Sequence, residues 1–339
     1  MVDVGTTIDD LNAFLAEYHL VGAGLRREGP RRTGNTARHW KWEGINAALQ
    51  QSGKIVTVGP GAMAPMRTIA GVEGYNSHMW MDYQILMPGE HTQAHRTMRS
   101  ETRLVWQASP GAVFICEGEA YPMERGDVVI TPSWTFHDHY NEGTEPAIWI
   151  DAFDNGYNNG AFINERLPDD APYQEVVRPP EYTRKTRGHA RQLATSGPGF
   201  PLPSMRYRWS ETQAALDALQ NAEVGGDPYD GMHLMLASPV DGGSTLPTIA
   251  WHVQMLAPRQ KTLAHRHNST TYYNVFEGEG ATIIDGERLE WHKGDLFAVP
   301  PWVWHSHENL SNDPAITFSV DDWPAMTKLG FYRKEDADR

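Results

Sequence analysis

Apolar side chains at Ile8, Leu11, Phe14 and Leu15 recur at the spacing of one helical face, predicting a helix over 7–18. Thr7 and Asp10 have near-capping-box spacing at its start. A weaker helical pattern covers 43–52 and is expected to stop at Gly53. The intervening 22–40 carries much Arg and Gly and reads as an arm or loop. From Ile55 the period shortens. Runs rich in β-branched and aromatic residues follow at 83–87, 102–106, 113–116, 128–131 and 134–139, with Pro88-Gly89-Glu90 and Glu117-Gly118 between them. The Pro- and Gly-rich stretch 155–208 reads as a linker that wraps the domains. A third helix is expected over 210–221, opened by Ser210 and Gln213 as an S-x-x-Q box, with Leu216 and Leu219 inward and Gly225-Gly226 beyond its end. Strand character returns at 232–237 and continues through 271–276, 281–284 and 296–299, with Gly278-Glu279-Gly280 and Asp285-Gly286 expected as hairpin turns. The pattern predicts an all-β chain with peripheral helices: a helical arm over 1–54, a β domain over 55–155, a linker with one helix over 156–228, and a second β domain over 229–339.

Composition narrows the class. A length of 339 residues fits about two domains, and 40% hydrophobic content with 12 Trp can fill sizeable cores. The formal charge of −14 argues against a nucleic-acid partner, which would need a basic face. A single cysteine, Cys116, excludes an intramolecular disulfide framework and suggests a reducing compartment. It reads as a small buried apolar residue. No apolar run approaches the ~18 residues of a membrane span, and the acidic N-terminus lacks a signal-peptide core, so the cytoplasm is the expected location and no membrane partner is expected.

The histidines change the picture most. Random placement of 15 histidines would give about 0.7 His-x-His pairs. There are three, at 137/139, 265/267 and 305/307. Residues two apart on a strand share a face, so His265 and His267 point the same way, and a later strand can bring His305 beside them. Three converging imidazoles make a site for iron, copper, nickel or zinc. The pairs also belong to an internal repeat. Trp134, His137, His139 and Asn141 recur 168 positions later as Trp302, His305, His307 and Asn309, and Gly126-Asp127 recurs as Gly294-Asp295. Ala94-His95-Arg96 recurs 170 positions later as Ala264-His265-Arg266. One β module therefore occurs twice.

Each copy carries Gly-x5-His-x-(His/Thr), loosely in the second copy, then Gly-x5-Pro-x-Trp-x2-His-x3-Asn. This resembles the two-part signature of cupins, small jelly-roll barrels. The duplicated form is similar to the gentisate 1,2-dioxygenase family, which includes salicylate, 5-substituted salicylate and 1-hydroxy-2-naphthoate 1,2-dioxygenases. Trp40-Lys41-Trp42, 201–209, Pro247-Thr248-Ile249 and 328–332 extend the likeness over the chain. The resemblance implies two cupin domains, ferrous iron on three histidines, dioxygen as co-substrate, a homotetramer, and opening of a small aromatic hydroxy acid between its carboxyl- and hydroxyl-bearing carbons. 1-Hydroxy-2-naphthoate is an alternative substrate. A metal-dependent isomerase or decarboxylase and a ligand-binding cupin are rival functions.

The chain departs from that family where it matters. The usual working site is in the first module with Ala-His-Arg-His, and here the stretch ends in Thr97. That module keeps His95 and His137, with Glu101 as a third ligand only against strand parity. It also keeps what the resemblance implies is a substrate pocket: Arg67, Trp80, Gln84, Arg103, His139 and Asp151. The second module has the whole triad His265, His267 and His305, with His307 as the catalytic counterpart of His139. Gln254, Tyr273, Trp304 and Asp321 are its substrate candidates, Asp321 standing for Asp151. Ligand completeness favours the second module as the working one.

Overall fold

A computed structural model describes residues 4–22, 36–60, 68–70, 79–154, 163–187, 205–222 and 226–337. It contains two antiparallel sandwiches. In the first, a seven-stranded sheet runs Val21–Gly22, Thr68–Ala70, Trp80–Leu86, Ala147–Phe153, Glu101–Gln107, Val128–Thr131, Met205–Tyr207. Its five-stranded partner runs Asn164–Arg166, His95–Thr97, His137–Asn141, Ala112–Cys116, Glu119–Pro122. In the second, the larger sheet runs Met232–Met235, Ala250–Leu256, Ala315–Asp321, Thr271–Glu277, Leu296–Val299, Arg38–Trp40. Its smaller sheet runs Glu287–His292, Glu279–Ile284, His305–Asn309, His265–His267, Lys334–Asp336.

The chain jumps between sheets, so the histidine strands meet by jelly-roll topology rather than by a meander. Asp285-Gly286 and Glu117-Gly118 are two-residue hairpins with both residues at positive φ. Gly278-Glu279-Gly280 is not a hairpin turn: it carries the chain from the larger sheet to the smaller one. Strand 134–139 begins later than its pattern implied, at His137, because Trp134 adopts a left-handed conformation with φ 61°.

Each large sheet is buried on both faces, which explains why Trp80–Leu86 and Ala250–Leu256 are buried at every position instead of alternating. Inner faces fill the two barrels: Val105, Phe114, Cys116 and Trp149 in one, Tyr273, Val275, Trp291 and Phe297 in the other. Outer faces pack the two sandwiches together, joining Tyr83, Ile85, Leu104 and Ile150 to Trp251, Val253, Phe276 and Phe318. Within this joint core Trp251 Nε1 donates to Thr102 Oγ1 across 2.6 Å.

The arms are exchanged between modules. Arg38–Trp40, part of the expected loop, adds an edge to the second sandwich against Leu296–Val299, while Met205–Tyr207 from the linker adds one to the first. Helix Trp42–Ile55 begins with Asp295 Oδ1 accepting from Trp42 N at 2.8 Å. Helix Trp209–Asn221 begins in the same way, with Asp127 Oδ1 accepting from Trp209 N at 2.8 Å. The expected Ser210–Gln213 box is therefore not used, because an aspartate of the first barrel meets the helix start one residue earlier. Gly53 does not stop its helix, which runs on to Ile55. There a Cβ would meet Met87 Sδ at 2.7 Å, so the glycine serves packing. Helix Ile8–Glu17 has the full Thr7–Asp10 capping box. Much of 22–40 and of 155–208 lies outside the described residues, as does Arg67. Among the described residues no helix is long and apolar enough to cross a membrane.

Candidate metal centre

On His265–His267 the two histidines turn into the second barrel and Arg266 turns out. His305 lies directly opposite His265 in the antiparallel ladder. One ligand atom from each of the three falls within 4.8 Å of the others, the one such group of three among the described residues. Backbone carbonyls orient two of the three rings, His305 and His267, whereas His265 Nδ1 is buried with no partner among the described residues. A carbonyl can only accept, so His305 Nδ1 donates to Val303 O at 2.9 Å and His267 Nδ1 to Ser269 O at 3.0 Å. That leaves each Nε2 unprotonated and available, and His305 Nε2 is buried with no partner among the described residues. Burial, reinforced by the neighbouring imidazoles, lowers His267 to about 4 and His305 to about 3, and depresses His265 further. The donor set, neutral, tightly grouped and with two of its rings preoriented, fits a divalent transition-metal ion.

His307 sits beside this group, its ring 5.8 Å from that of His305. Its protonation pattern is fixed by a relay. Trp291 Nε1, which can only donate, gives its hydrogen to Thr282 Oγ1 at 3.0 Å. Among the described residues His307 Nδ1, 2.9 Å away, is the one acceptor the buried Thr282 hydroxyl has, so the hydroxyl gives its own hydrogen there. With burial holding His307 neutral, at about 3, its proton is on Nε2, which has no partner among the described residues. Tyr273 stacks on Phe297 at 4.9 Å and lies 5.0 Å from the His307 ring.

The other sequence candidates separate. Gln254 Nε2 donates to Asp230 Oδ1 at 3.1 Å, and Asp230 lies 3.9 Å from His265 Nε2. Asp321 lies 3.4 Å from His252 Nε2. It is not the counterpart of Asp151: Asp151 is opposite Arg103, whereas the residue opposite Tyr273 is Ser319. The repeat offset on this strand is 168, as for the histidines, and not 170. Trp304 does not face the triad; it stacks under Arg266, 4.7 Å away, on the barrel's outside. Asp230, His252 and His233, whose Nδ1 lies 4.0 Å from Asp230 and whose ring lies 4.8 Å from that of His252, were missed by motif reading. His252 could have been found by parity, two positions before Gln254 on the same strand face. Thr282 and Trp291 carry no local signal, since their roles arise from pairing between distant strands.

In the first barrel the same positions close on one another. His95 and His137 keep their carbonyl bonds, to Gln93 O and Thr135 O, both at 3.1 Å. Glu101 does reach the site, 3.5 Å from His137 Nε2, because it starts a strand of the facing sheet rather than continuing the one that holds Thr97. Its carboxylate is already taken by Arg103 and by Arg99 Nε at 3.2 Å. Those guanidinium charges hold it well below the usual carboxylate range despite its burial. Arg103, fully buried, also binds Thr131 and pairs with Asp151 at 3.0 Å. Asp151 accepts from Gln84 and from Trp149 Nε1, and Trp80 Nε1 donates to buried Asp82 at 3.2 Å. Phe114 stands opposite His139 where Thr282 stands opposite His307, so both nitrogens of His139 lack a partner among the described residues.

Comparison with known proteins agrees with this architecture. The Cupin domain family model matches twice, over 82–153 and 252–321. The 5-aminosalicylate 1,2-dioxygenase of Comamonas sp is 34% identical over 87% of this chain and 80% of its own length. The 1-hydroxy-2-naphthoate 1,2-dioxygenase of Nocardioides sp. (strain KP7) is 33% identical over 95% and 83%. The crystal structure of salicylate 1,2-dioxygenase from Pseudoaminobacter salicylatoxidans with gentisate superposes with a TM-score of 0.79 at 27% identity, covering 91% of this chain and 87% of that one. With two cupin barrels and relatives of this identity along nearly its whole length, the chain belongs to the gentisate and salicylate 1,2-dioxygenase family of bicupins.

Proposed function

We propose that this ring-cleaving 1,2-dioxygenase acts on a small 2-hydroxybenzoate, gentisate or a 5-substituted salicylate, and that it does so with ferrous iron in its second cupin. The observation that carries this reading is the contrast between the barrels. The second has three converging buried imidazoles and a fourth, His307, hydrogen-bonded to Thr282. The first has a threonine in the triad and an ion cluster where a substrate would lie.

Ferrous iron on His265, His267 and His305 would supply open positions for a chelating substrate and dioxygen, together with the redox chemistry that joins them. The protein's own groups do the rest. Because burial keeps the three ligands neutral, none must lose a proton on binding metal. His307 presents an Nε2–H that can donate to charge developing on an oxygen inside the barrel. Asp230, raised to about 6 by burial, is suited to take the phenolic proton as the substrate chelates. Tyr273, Phe297 and Trp291 form a buried aromatic wall that keeps water from the ring.

The test is paired substitution with iron analysis and oxygen uptake. His267→Ala or His305→Ala should remove iron and turnover together, while His95→Ala leaves most of both. A finding that His95 or His137 is essential and His267 dispensable would move the working site to the first cupin. Gentisate or a 5-substituted salicylate should consume one O₂ per ring, and 3- or 4-hydroxybenzoate none. Reconstitution with zinc alone should give no turnover, since zinc has no redox chemistry. Activity with zinc would favour an isomerase or decarboxylase instead.

A further inference from the structure

The strand Lys334–Asp336 lies antiparallel to the ligand strand, with Asp336 opposite His265, Glu335 opposite Arg266 and Lys334 opposite His267. Residues directly opposed in an antiparallel ladder share a face. Lys334 therefore projects to the barrel side with His267, while Glu335 turns out and pairs with Arg266. The first cupin repeats the arrangement. Asn164–Arg166 lies on His95–Thr97, Glu165 pairs with Arg96, and Asn164 is opposite Thr97. The first has Arg103 on its wall and, on its rim strand, Asn164 opposite Thr97 and Arg166 opposite His95. The second has Tyr273 on its wall and Lys334 at its rim.

Arg103 and Lys334 differ in availability. Arg103 is fully buried and pinned by Glu101 and Asp151. Lys334 pairs with Asp336 Oδ1 at 3.3 Å, and their side chains are 33% and 45% exposed, so the pair is screened and contributes little. The ammonium stands 5.3 Å above the ring of Tyr229, whose Oη donates to Ala337 O at 3.0 Å and whose ring is 5.9 Å from that of His265. A cation–π platform therefore holds the charge at the mouth of the triad. An anionic aromatic acid entering this barrel also meets Asp230 and Asp321, and a nearby cation is what makes its entry favourable.

We propose that Lys334 is the residue that binds the substrate's carboxylate in the second cupin, a proposal resting on the reading that this cupin is the working site. The probes are salicylate and its neutral analogue salicylamide, titrated anaerobically into the iron-loaded protein. Lys334→Met should weaken salicylate about 10- to 100-fold, leave salicylamide within about twofold and leave iron content unchanged. Lys334→Arg should keep salicylate within about threefold. Salicylate binding unchanged in Lys334→Met, or salicylamide lost in parallel with it, would overturn the assignment. His267→Ala separates the two levels. If it abolishes salicylate binding while Lys334→Met does not, only Lys334 is wrong. Salicylate binding that survives His267→Ala would remove the second-cupin site and Lys334 with it.

Discussion

Thr282 decides which nitrogen of His307 carries its proton. Replacing it with valine keeps the shape but leaves His307 Nδ1 and Trp291 Nε1 without their shared partner, at a cost of roughly 1–3 kcal/mol. Thr282→Val is expected to retain iron and to lose about 10- to 100-fold in kcat/KM, because the neutral ring can then adopt the other tautomer. Unchanged kinetics would remove His307 from the proton path. Arg103 gives the opposite expectation. Arg103→Leu strands Glu101 and Asp151 in the first barrel and should destabilise the fold by about 3–5 kcal/mol in denaturant titration, while folded molecules keep their activity. Acid sensitivity follows from the ligand burial. Free imidazoles lose metal to protons below about pH 6.5. With His267 near 4 and His305 near 3, proton competition at the second cupin should begin well below that, so affinity for a divalent ion should be nearly flat from pH 7.5 to 5. A steep loss beginning at pH 6.5 would mean that the imidazoles are solvated.

Strand elements are where sequence and structure part company in an instructive way. The repeat, the three His-x-His pairs and the convergence of His265, His267 and His305 were all legible, because strand parity is local and the motif residues recur at fixed offsets. What the repeat does at Gly-Asp was not legible. Gly126 and Gly294 lie at φ 87° and 92°, and a Cβ on either would come within 2.7 and 2.5 Å of the indole of Trp209 and Trp42. Asp127 and Asp295 then accept from the backbone of those same tryptophans. Each Gly-Asp is a socket for a helix start that arrives from far away in the chain, and no local pattern announces such a contact. For the same reason the Ser210 box and the Gly53 stop were misleading: tertiary packing set both helix boundaries. Gly294→Ala tests the socket. It combines a positive φ with a clash against Trp42 and should lower stability by about 1–3 kcal/mol. Since the indole has to move, loss of Trp fluorescence intensity or a shift in its maximum should accompany the change.

At the scale of the molecule, the exchange of arms makes the two cupins mutually dependent. The segment that completes the barrel holding the histidine triad is not its neighbour in sequence. Arg38–Trp40 pairs with Leu296–Val299, His39 and Lys41 both reach Asp295, at 2.9 and 3.1 Å, and Trp42 fills the space over Gly294. Leu296–Val299 in turn pairs with Thr271–Glu277, which carries Tyr273 beside His307. Deleting residues 1–55 should therefore injure the second cupin, though the deletion borders the first. The Leu296–Val299 strand becomes an unpaired edge, Asp295 loses His39, Lys41 and the Trp42 amide, and the apolar face holding Ile45, Ala48 and Leu49 is uncovered. The expected result is a soluble yield much reduced by aggregation and, in the surviving monodisperse fraction, iron content and O₂ uptake falling together. Fusing residues 1–55 back through a flexible linker at the C-terminus, so that the arm can reach the same socket, should restore both. If the truncated chain holds iron as well as the intact one does, the arm is a covering and not part of the barrel that positions the triad.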